Sequence, residues 1–585
     1  MTPRPREGTG RHLLTVAVED YFQIGSFNRL IQRGEWENFE SRVERNTRRA
    51  LDLLDANQQQ ATFFVLGWVA DQMPQLVAEI AARGHEIASK GYFHRSMRAM
   101  TQREFREDLR RAREALQRAS GQRILGYRVA NGWFCPEDLW ALDVLADEGY
   151  DYDSSIGPIG TRFAAEPWRR FAHAHQAGER TLWEFPISAD EMFGCMVPIA
   201  GGNWFRQLPP SYVRRAVAHW HRTYTAPFVM YFHVWELDPD LPLIGATSWV
   251  ERVRAYRNLT EMPRRVGHFL ERYRFTSIAE HLGLATQLSA VQRQALPPAP
   301  LQEARLARPV AVSTTMDRPP AEPIAVSVVI PCYNEELALP YLAKALSGAQ
   351  QSLADRFALQ FIFVDDCSSD RTAELLATLF GNRTDCRILR HPVNQGIAGA
   401  LRSGLEAATT DIVASIDSDC TYDPMILGAM IPLLESDTDL VTASPYHPSG
   451  HVHNVPAWRL ALSRTLSRLY RVVLHHKFFT YTSCCRVYRR SSALQIQIHD
   501  TRFLGVAELL ARLDLAGGRI VEFPTTLKVR VLGASKMKVV RTILDHLGLL
   551  ARLAGLRLRG SQPPIQRGLP GTTTQPQFRG SVSHV

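Results

Sequence analysis

The sequence predicts an α/β protein of two domains, and three observations carry that expectation. Both halves alternate short apolar runs with amphipathic helical patterns, as α/β folds do. The apolar runs of the second half end in polar residues, where open parallel sheets place their ligand sites. Between the halves, residues 286–323 lose all periodicity, with Pro297, Pro298, Pro300, Pro309, Pro319, Pro320 and Pro323 among Ala, Gln, Arg, Ser and Thr. Such a segment buries too little apolar surface to offset its ordering entropy, so it reads as a linker.

In the first half, residues 13–18 and 61–67 read as buried strands, and Arg103–Ala119 has helical spacing through Phe105, Leu109, Ala112 and Leu116. In the second half, residues 325–331, 359–366 and 411–419 read as buried strands. Residues 560–585 read as a disordered tail. Hydrophobic content of 45% and charged content of 22% over 585 residues exclude collagen-like, mucin-like and wholly disordered chains. The eight cysteines show no CxxC and no regular spacing, which argues against a disulfide scaffold. The N-terminus has no apolar core of signal-peptide length, and no run reaches the ~18 apolar residues of a membrane span. The expectation is a cytoplasmic chain, peripheral on the cytosolic face of a membrane.

Asp417-Ser418-Asp419 follows an apolar run, so two carboxylates stand two residues apart beyond a strand. Two hard oxygen donors suit Mg²⁺ or Mn²⁺ on a diphosphate, because Mg²⁺ takes few protein ligands and completes its shell with phosphate and water. Three further blocks precede it: SVVIPCYNEE (327–336), FVDDCSSDRT (363–372) and NQGIAGALRSG (394–404). In this order, with DSDCTYDP (417–424), they resemble a family 2 glycosyltransferase of the GT-A fold over residues 325–558. TSCCRVYRR (482–490) and RVLGASKM (530–537) are similar to the polyprenyl-phosphate glycosyltransferases of the dolichyl-phosphate mannose synthase type. The resemblance implies a nucleotide-sugar donor, a divalent metal and inversion at the anomeric carbon as a lipid phosphate attacks. It implies that Pro331, Tyr333 and Glu335 line the nucleotide pocket, that Asp365 or Asp366 meets the base, and that Asp417 and Asp419 hold metal and donor phosphates. It also implies that Arg530, Ser535 and Lys536 meet acceptor phosphate, a role that suits a bidentate guanidinium and a point-charge ammonium. Glu508 is a candidate for acceptor activation, against an exposed helix carboxylate. The GT-A domain is expected over residues 324–535.

A basic amphipathic helix is expected over residues 536–559. Val540, Ile543, Leu544, Leu547, Leu550, Ala554 and Leu558 form one stripe, opposite Arg541, Asp545, Arg552 and Arg559. Lys528–Arg559 holds eight Lys or Arg against Asp545 alone, seven of the chain's net +9. That pattern suits the interface of an anionic membrane and points away from nucleic acid.

LTVAVEDYFQI (14–24), GHEIASKGYFH (84–94), GYR (126–128), GYDYDSSI (149–156), EFPIS (184–188) and YFHVWELDPD (231–240) together resemble a polysaccharide deacetylase of the NodB type, in its DVEDYF subgroup. The resemblance spans residues 11–285 and implies a distorted (β/α) barrel. It also implies an Asp base for a metal-bound water, with the metal on a carboxylate and an HxxxH pair. Here the base position is Ala17, the first metal His is Lys90, and the usual Pro after Arg128 is Ala130. A methyl group takes no proton, and an ammonium of ordinary pKa about 10.4 repels a metal. Glu19, Asp20, His94, Arg128 and His233 remain, too few for the chemistry, so zinc is not expected. Lys90 is the only lysine before Lys344, and the expectation is that it replaces the metal by pairing with Glu19 or Asp20. Trp133, Trp204 and Trp235 are candidates for stacking on sugar rings, against aromatic core packing.

The resulting expectation is a metal-dependent inverting glycosyltransferase, acting from a nucleotide sugar onto a polyprenyl phosphate or a glycan. It is fused to an inactive deacetylase-like domain that binds saccharide or scaffolds. A bifunctional deacetylase and glycosyltransferase is the alternative, opposed by Ala17 and Lys90. A non-catalytic binder is opposed by the intact DxD, Arg530 and Lys536.

Overall fold

The computed structural model describes residues 12–27, 30–192, 194–199, 201–245, 248–288, 322–453, 457–533, 539–559 and 564–566. Most of the expected linker and tail, together with Ser535 and Lys536, lie outside the described residues. The chain divides into two compact units, the first built mainly from residues up to Thr314 and the second mainly from Thr315 onward.

The first unit carries β1 (His12–Val18), β2 (Thr62–Val65), β3 (Glu86–Ser89), β4 (Gly126–Tyr127), β5 (Tyr152–Asp153), β6 (His173–Ala177), β7 (Arg180–Glu184), β8 (Ala189–Met192), β9 (Cys195–Pro198), β10 (Val229–His233) and β11 (Phe275–Thr276). Its nine-stranded sheet runs β10-β1-β2-β3-β4-β5-β7-β6, with β11 added on β1. All pairings are parallel except β6 with β7. The path starts at β10 and stops at β6, so the expected barrel is an open, curled sheet. Every residue of β1 is buried, which is why it reads as an unbroken apolar run, the mark of a parallel strand covered on both faces. The helix Gln102–Ser120 starts at a Thr101/Glu104 capping box and stops at Gly121, whose φ of 68° ends it in the left-handed region.

This topology gathers the polar residues of interest. Glu19 follows β1, Lys90 follows β3 and Arg128 follows β4, while Asp153, Glu184 and His233 close β5, β7 and β10. All stand at the C-terminal ends of parallel strands, the rim where such folds place their sites.

The second unit carries β12 (Ile324–Cys332), β13 (Phe357–Asp365), β14 (Cys386–Arg390), β15 (Ile412–Ser415), β16 (Leu440–Ser444), β17 (His451–Val452), β18 (Arg486–Arg489), β19 (Ile520–Pro524) and β20 (Thr526–Leu527). Its main sheet is ordered β14-β13-β12-β15-β18-β16-β19. β18 runs antiparallel to both neighbours and the other pairs are parallel. This is a mixed Rossmann-like sheet. The strand expected over 411–419 is shorter: it ends at Ser415, and the chain turns at Cys420, whose φ is 53°. Leaving the sheet early carries Asp417 and Asp419 out of a position where two charges would lie buried between strands.

The helix Val539–Arg559 follows the expected segment, but its buried face differs. His546, Leu549, Leu550 and Leu553 are buried, whereas Leu544, Leu547 and Leu558 are 64%, 46% and 88% exposed. Apolar residues cover more than one side of this helix, and packing selected the Leu549–Leu553 side. The Tyr470 hydroxyl lies 2.8 Å from His546 Nδ1, and Arg557 donates to the carbonyls of Val472, Val473 and Leu474 at the end of the helix Ala457–Val473.

Candidate functional site

In the second unit the β12 and β15 ends meet Arg530. Arg530 donates to both carboxylate oxygens of Glu335, at 3.1 and 2.5 Å, and its Nη1 lies 3.7 Å from Asp419 Oδ2. Its Nε donates to the Leu532 carbonyl at 2.8 Å, which fixes the fork in place. Asp419 accepts from the Thr421 amide at 3.1 Å. Burial, the adjacent Asp419 charge and Glu335 push the Asp417 carboxyl up to about 7, while the Cys484 thiol and Arg530 pull the other way. Sequence reasoning did not assign Cys484 a role, although it lies in the TSCCRVYRR block.

Asp365 and Asp366 divide their work. Asp365 accepts from the Ser368 amide at 3.0 Å and lies 3.2 Å from Arg390 Nε. Asp366 accepts from the amides of Gln395 and Gly396, each at 2.7 Å, and lies 2.7 Å from His391 Nδ1. Its carboxylate therefore organises the NQGIAGA loop. Pro331, the penultimate residue of β12, is half-buried and paired with Val364 of β13, and Tyr333 is 40% exposed.

Glu508 is neither an exposed carboxylate nor an open one. It is fully buried on the helix Phe503–Leu515 and accepts from the His499 and Asp500 amides at 3.0 and 3.1 Å and from Arg512 Nε at 2.8 Å. Burial alone would raise its carboxyl, but these donors hold it below the ordinary value. Its geometry ties the 499–500 segment to the helix.

A divalent cation would be held by Asp417 and Asp419. Arg530, which Glu335 already engages, lies beside them, and burial and then the Asp419 charge raise the Asp417 carboxyl to about 7. Two mutually repelling carboxylates fit Mg²⁺ or Mn²⁺, which bind through one or two carboxylates plus phosphate oxygens. Among the described residues no group of three or more His, Cys, Asp or Glu forms a complete metal cage.

In the first unit Lys90 forms an ion pair with Glu19 and donates to the Ala130 carbonyl at 3.2 Å. Glu19 Oε2 also lies 3.0 Å from His94 Nε2, and Oε1 lies 2.7 Å from His233 Nδ1. Trp235 Nε1 donates to Glu19 Oε1 at 3.4 Å. Glu19 and Lys90 are each 2% exposed. Burial opposes the Glu19 charge, yet Lys90, His233 and His94 hold its carboxyl well below the usual range. Burial lowers Lys90 against its Glu19 partner, and lowers His94 in the same way. An ammonium thus occupies the coordination space of Glu19, and the residues present do not fit a metal ion there.

The other candidate residues of this rim are engaged in hydrogen bonds or packing within the fold. Asp20 accepts from the Ser41 hydroxyl at 2.6 Å and from the Tyr21, Arg42 and Val43 amides, and burial raises its carboxyl to about 6. Arg128 donates to Thr15 Oγ1, the Ser154 carbonyl and Ser154 Oγ at 2.8, 2.9 and 2.6 Å. Ala17 is 1% exposed in the sheet. Trp235 is buried, with its ring tilted on His233 at 5.6 Å, and Trp133 packs edge-on to Tyr231 at 5.4 Å. Trp204 is half-buried on the helix Asn203–Gln207. Sequence reasoning missed the pair Asp153 and Glu184, fully buried on facing positions of β5 and β7.

Comparison with known proteins fits this division. The family model described as glycosyl transferase family 2 matches residues 327–496, that of polysaccharide deacetylase matches 36–152, and a domain of unknown function, DUF3473, matches 154–283. An uncharacterized glycosyltransferase of Mycobacterium bovis is 32% identical over 215 residues, 36% of this chain and 89% of that protein. The dolichol-phosphate mannosyltransferase of Pyrococcus furiosus is 27% identical over 39% of this chain, which spans only 63% of that protein's length. The undecaprenyl-phosphate mannosyltransferase of Micrococcus luteus is 29% identical over 40% of this chain and 98% of that protein. Among solved structures, a CE4 family pseudoenzyme from Bacillus anthracis aligns at 14% identity and TM-score 0.27 over 48% of this chain and 70% of that chain. Glucosyl-3-phosphoglycerate synthase from Mycobacterium tuberculosis, in complex with Mn²⁺, UDP and phosphoglyceric acid, aligns at 22% identity and TM-score 0.30 over 41% of this chain and 80% of that chain. Through its second unit the chain belongs to glycosyltransferase family 2, with a polysaccharide deacetylase-like domain fused ahead of it.

Proposed function

We propose that the second unit transfers a sugar from a nucleotide-sugar donor to a polyprenyl phosphate, with inversion, at an anionic membrane surface, and that the first unit does not hydrolyse acetamido groups. The observation that carries the reading is the convergence of Glu335, Asp417 and Asp419 on Arg530 beyond the C-terminal ends of β12 and β15. Bound Mg²⁺ or Mn²⁺ would neutralise charge growing on the leaving diphosphate. Asp417 and Asp419 would anchor the donor end of the site. Arg530 would exchange its Glu335 partner for phosphate oxygens, the partner a planar guanidinium holds in bidentate fashion. A phosphate acceptor is already anionic near neutral pH, so positioning and charge screening replace a general base. Glu508, saturated by its own donors, acts by shaping the pocket wall. Ser535 and Lys536 are assigned to the acceptor phosphate on sequence grounds alone.

The polyprenyl-phosphate acceptor is favoured over a glycan by the relatives named above and by the exposed Leu544, Leu547 and Leu558 beside Arg552 and Arg559. Among the described residues no helix is long and apolar enough to cross a membrane, so contact would be interfacial. In the first unit Lys90 supplies the positive charge that Glu19 requires, and the methyl group of Ala17 cannot take a proton from water.

Screening nucleotide sugars with Mn²⁺ or Mg²⁺ and a short polyprenyl phosphate tests the reading. Asp419→Ala is expected to abolish turnover while His94→Ala leaves it unchanged. Equal loss in both would assign the first unit a part in transfer. Acetate release from an acetylated oligosaccharide by the wild-type chain would overturn the assignment of the first unit.

A further inference from the structure

We propose that Cys484 is a positioning residue for the cation site: its thiol donates to the Asp417 carboxylate and fixes the direction in which that carboxylate faces. We rest this on the transferase reading, in which Asp417 and Asp419 hold the cation. Cys484 itself acts through Asp417.

The strand register brings the two residues together. β15 and β18 run antiparallel, with Ser415 opposite Arg486. Asp417 lies two residues beyond Ser415 and Cys484 two residues before Arg486, so both leave the strand pair at the same end. There the Cys484 thiol hydrogen-bonds the Asp417 carboxylate. A thiol is a weak donor in water, but Cys484 is 4% exposed, and little solvent competes for its partner. Asp419 takes its bond from the Thr421 amide of its own loop. The two carboxylates are thus oriented from different parts of the chain.

A side chain can orient a neighbour only from a backbone that is itself held. Glu522 accepts from the Phe479 and Thr480 amides at 2.8 and 3.0 Å. The fully buried Arg486 donates to the Tyr481 carbonyl at 2.8 Å and to the Val506 carbonyl, on the helix Phe503–Leu515, at 2.7 Å. The Ser415 hydroxyl donates to the carbonyl of Cys484 itself. These bonds clamp the segment on both sides of the thiol, with one of them coming from the strand that leads into Asp417. Hydrogen-bond partners that orient a metal-binding carboxylate are worth about 10–100-fold in metal affinity, provided that they are rigidly mounted.

Mn²⁺ binding to the full chain, read from the free-ion electron paramagnetic resonance signal, tests this without turnover. Cys484→Ala removes the donor, and Cys484→Ser keeps one in a side chain of similar size. Cys484→Ala is expected to weaken Mn²⁺ binding about tenfold, and Cys484→Ser to stay within about threefold of wild type. Urea unfolding followed by circular dichroism reports the packing cost of each change separately. Equal weakening in both variants, or weakening that follows the loss of folded protein, would overturn the proposal, because packing alone then accounts for it. Unchanged binding in Cys484→Ala beside tight binding in wild type overturns the role of Cys484 and leaves the transferase reading standing. A wild-type chain that binds no Mn²⁺ overturns both.

Discussion

Lys90 and Glu19 show what one substitution asks of its surroundings. Each is 2% exposed; without Glu19 the Lys90 ammonium would keep the Ala130 carbonyl as an acceptor, and without Lys90 the Glu19 carboxylate would be left to His94, His233 and Trp235. Breaking a buried ion pair by removing one partner costs about 3–5 kcal/mol, more than the pair itself contributes. Lys90→Ala is therefore expected to destabilise the first unit by about 3 kcal/mol. Lys90→Ala combined with Glu19→Ala should cost less than the sum of the singles. Denaturant unfolding followed by tryptophan fluorescence measures this selectively, because ten of the eleven tryptophans precede Leu284. The pairing partner was readable as one of two carboxylates. Nothing in the sequence separated Glu19 from Asp20, because the choice depends on donors at Ser41, Arg42 and Val43, some twenty residues on.

Elements explain the next level. Asp153 and Glu184 face each other on β5 and β7, fully buried, with Ser155 donating twice to Asp153 and the Ile156 amide donating to Glu184 at 2.9 Å. Burial, then the mutual repulsion of the carboxylates, raises Glu184 well above its ordinary value, and burial raises Asp153 too, against its hydrogen bonds. A raised folded-state value means the folded chain holds a proton that the unfolded chain has released. This contribution to stability is full below the ordinary carboxylate value and is lost as pH rises through the raised one. The unfolding midpoint of the first unit should fall with rising pH across that window, and Glu184→Gln should flatten the dependence. In the second unit, a Cβ on Gly404 would meet Val329 Cγ1 at 2.2 Å. Gly404→Ala is expected to cost about 1–3 kcal/mol by overpacking helix Ile397–Ala407 against β12, read by chemical denaturation.

Strands and long helices were legible at this scale because periodicity and capping are local. The Thr101/Glu104 box and the apolar run of β1 are examples. Two features were not. Asp366 looks like any strand-end carboxylate until the loop thirty residues later returns its Gln395 and Gly396 amides. The helix Val539–Arg559 has apolar residues on several sides, so only its packing partners decide which side is covered.

At the scale of the molecule, charge and exposed apolar surface coincide in the second unit. Seven of the net nine positive charges fall in Lys528–Arg559, and Leu544, Leu547 and Leu558 stand exposed on the helix within that segment. Binding to vesicles containing phosphatidylglycerol should weaken as salt rises, because exposed charges are screened over about 10 Å at 0.1 M. Replacing the three leucines by Gln should reduce co-sedimentation several-fold, while turnover on a water-soluble acceptor analogue persists. Each exposed leucine contributes about 1.5–3 kcal/mol when buried in an apolar phase, so the three together exceed what residual electrostatics restores.

The Lys90 ammonium reaches Glu19 on a tether of its own backbone. A bound ion can be diluted away, stripped by a chelator or displaced by a competing metal. A side chain has no dissociation constant in that sense, and its local concentration never falls while the unit is folded. The rim of the first unit therefore keeps its counter-charge under every cation concentration the chain meets. On the proposed function, a chelator added to the intact protein is expected to strip the cation held by Asp417 and Asp419 and to leave the stability of the first unit, with its Lys90–Glu19 pair, unchanged.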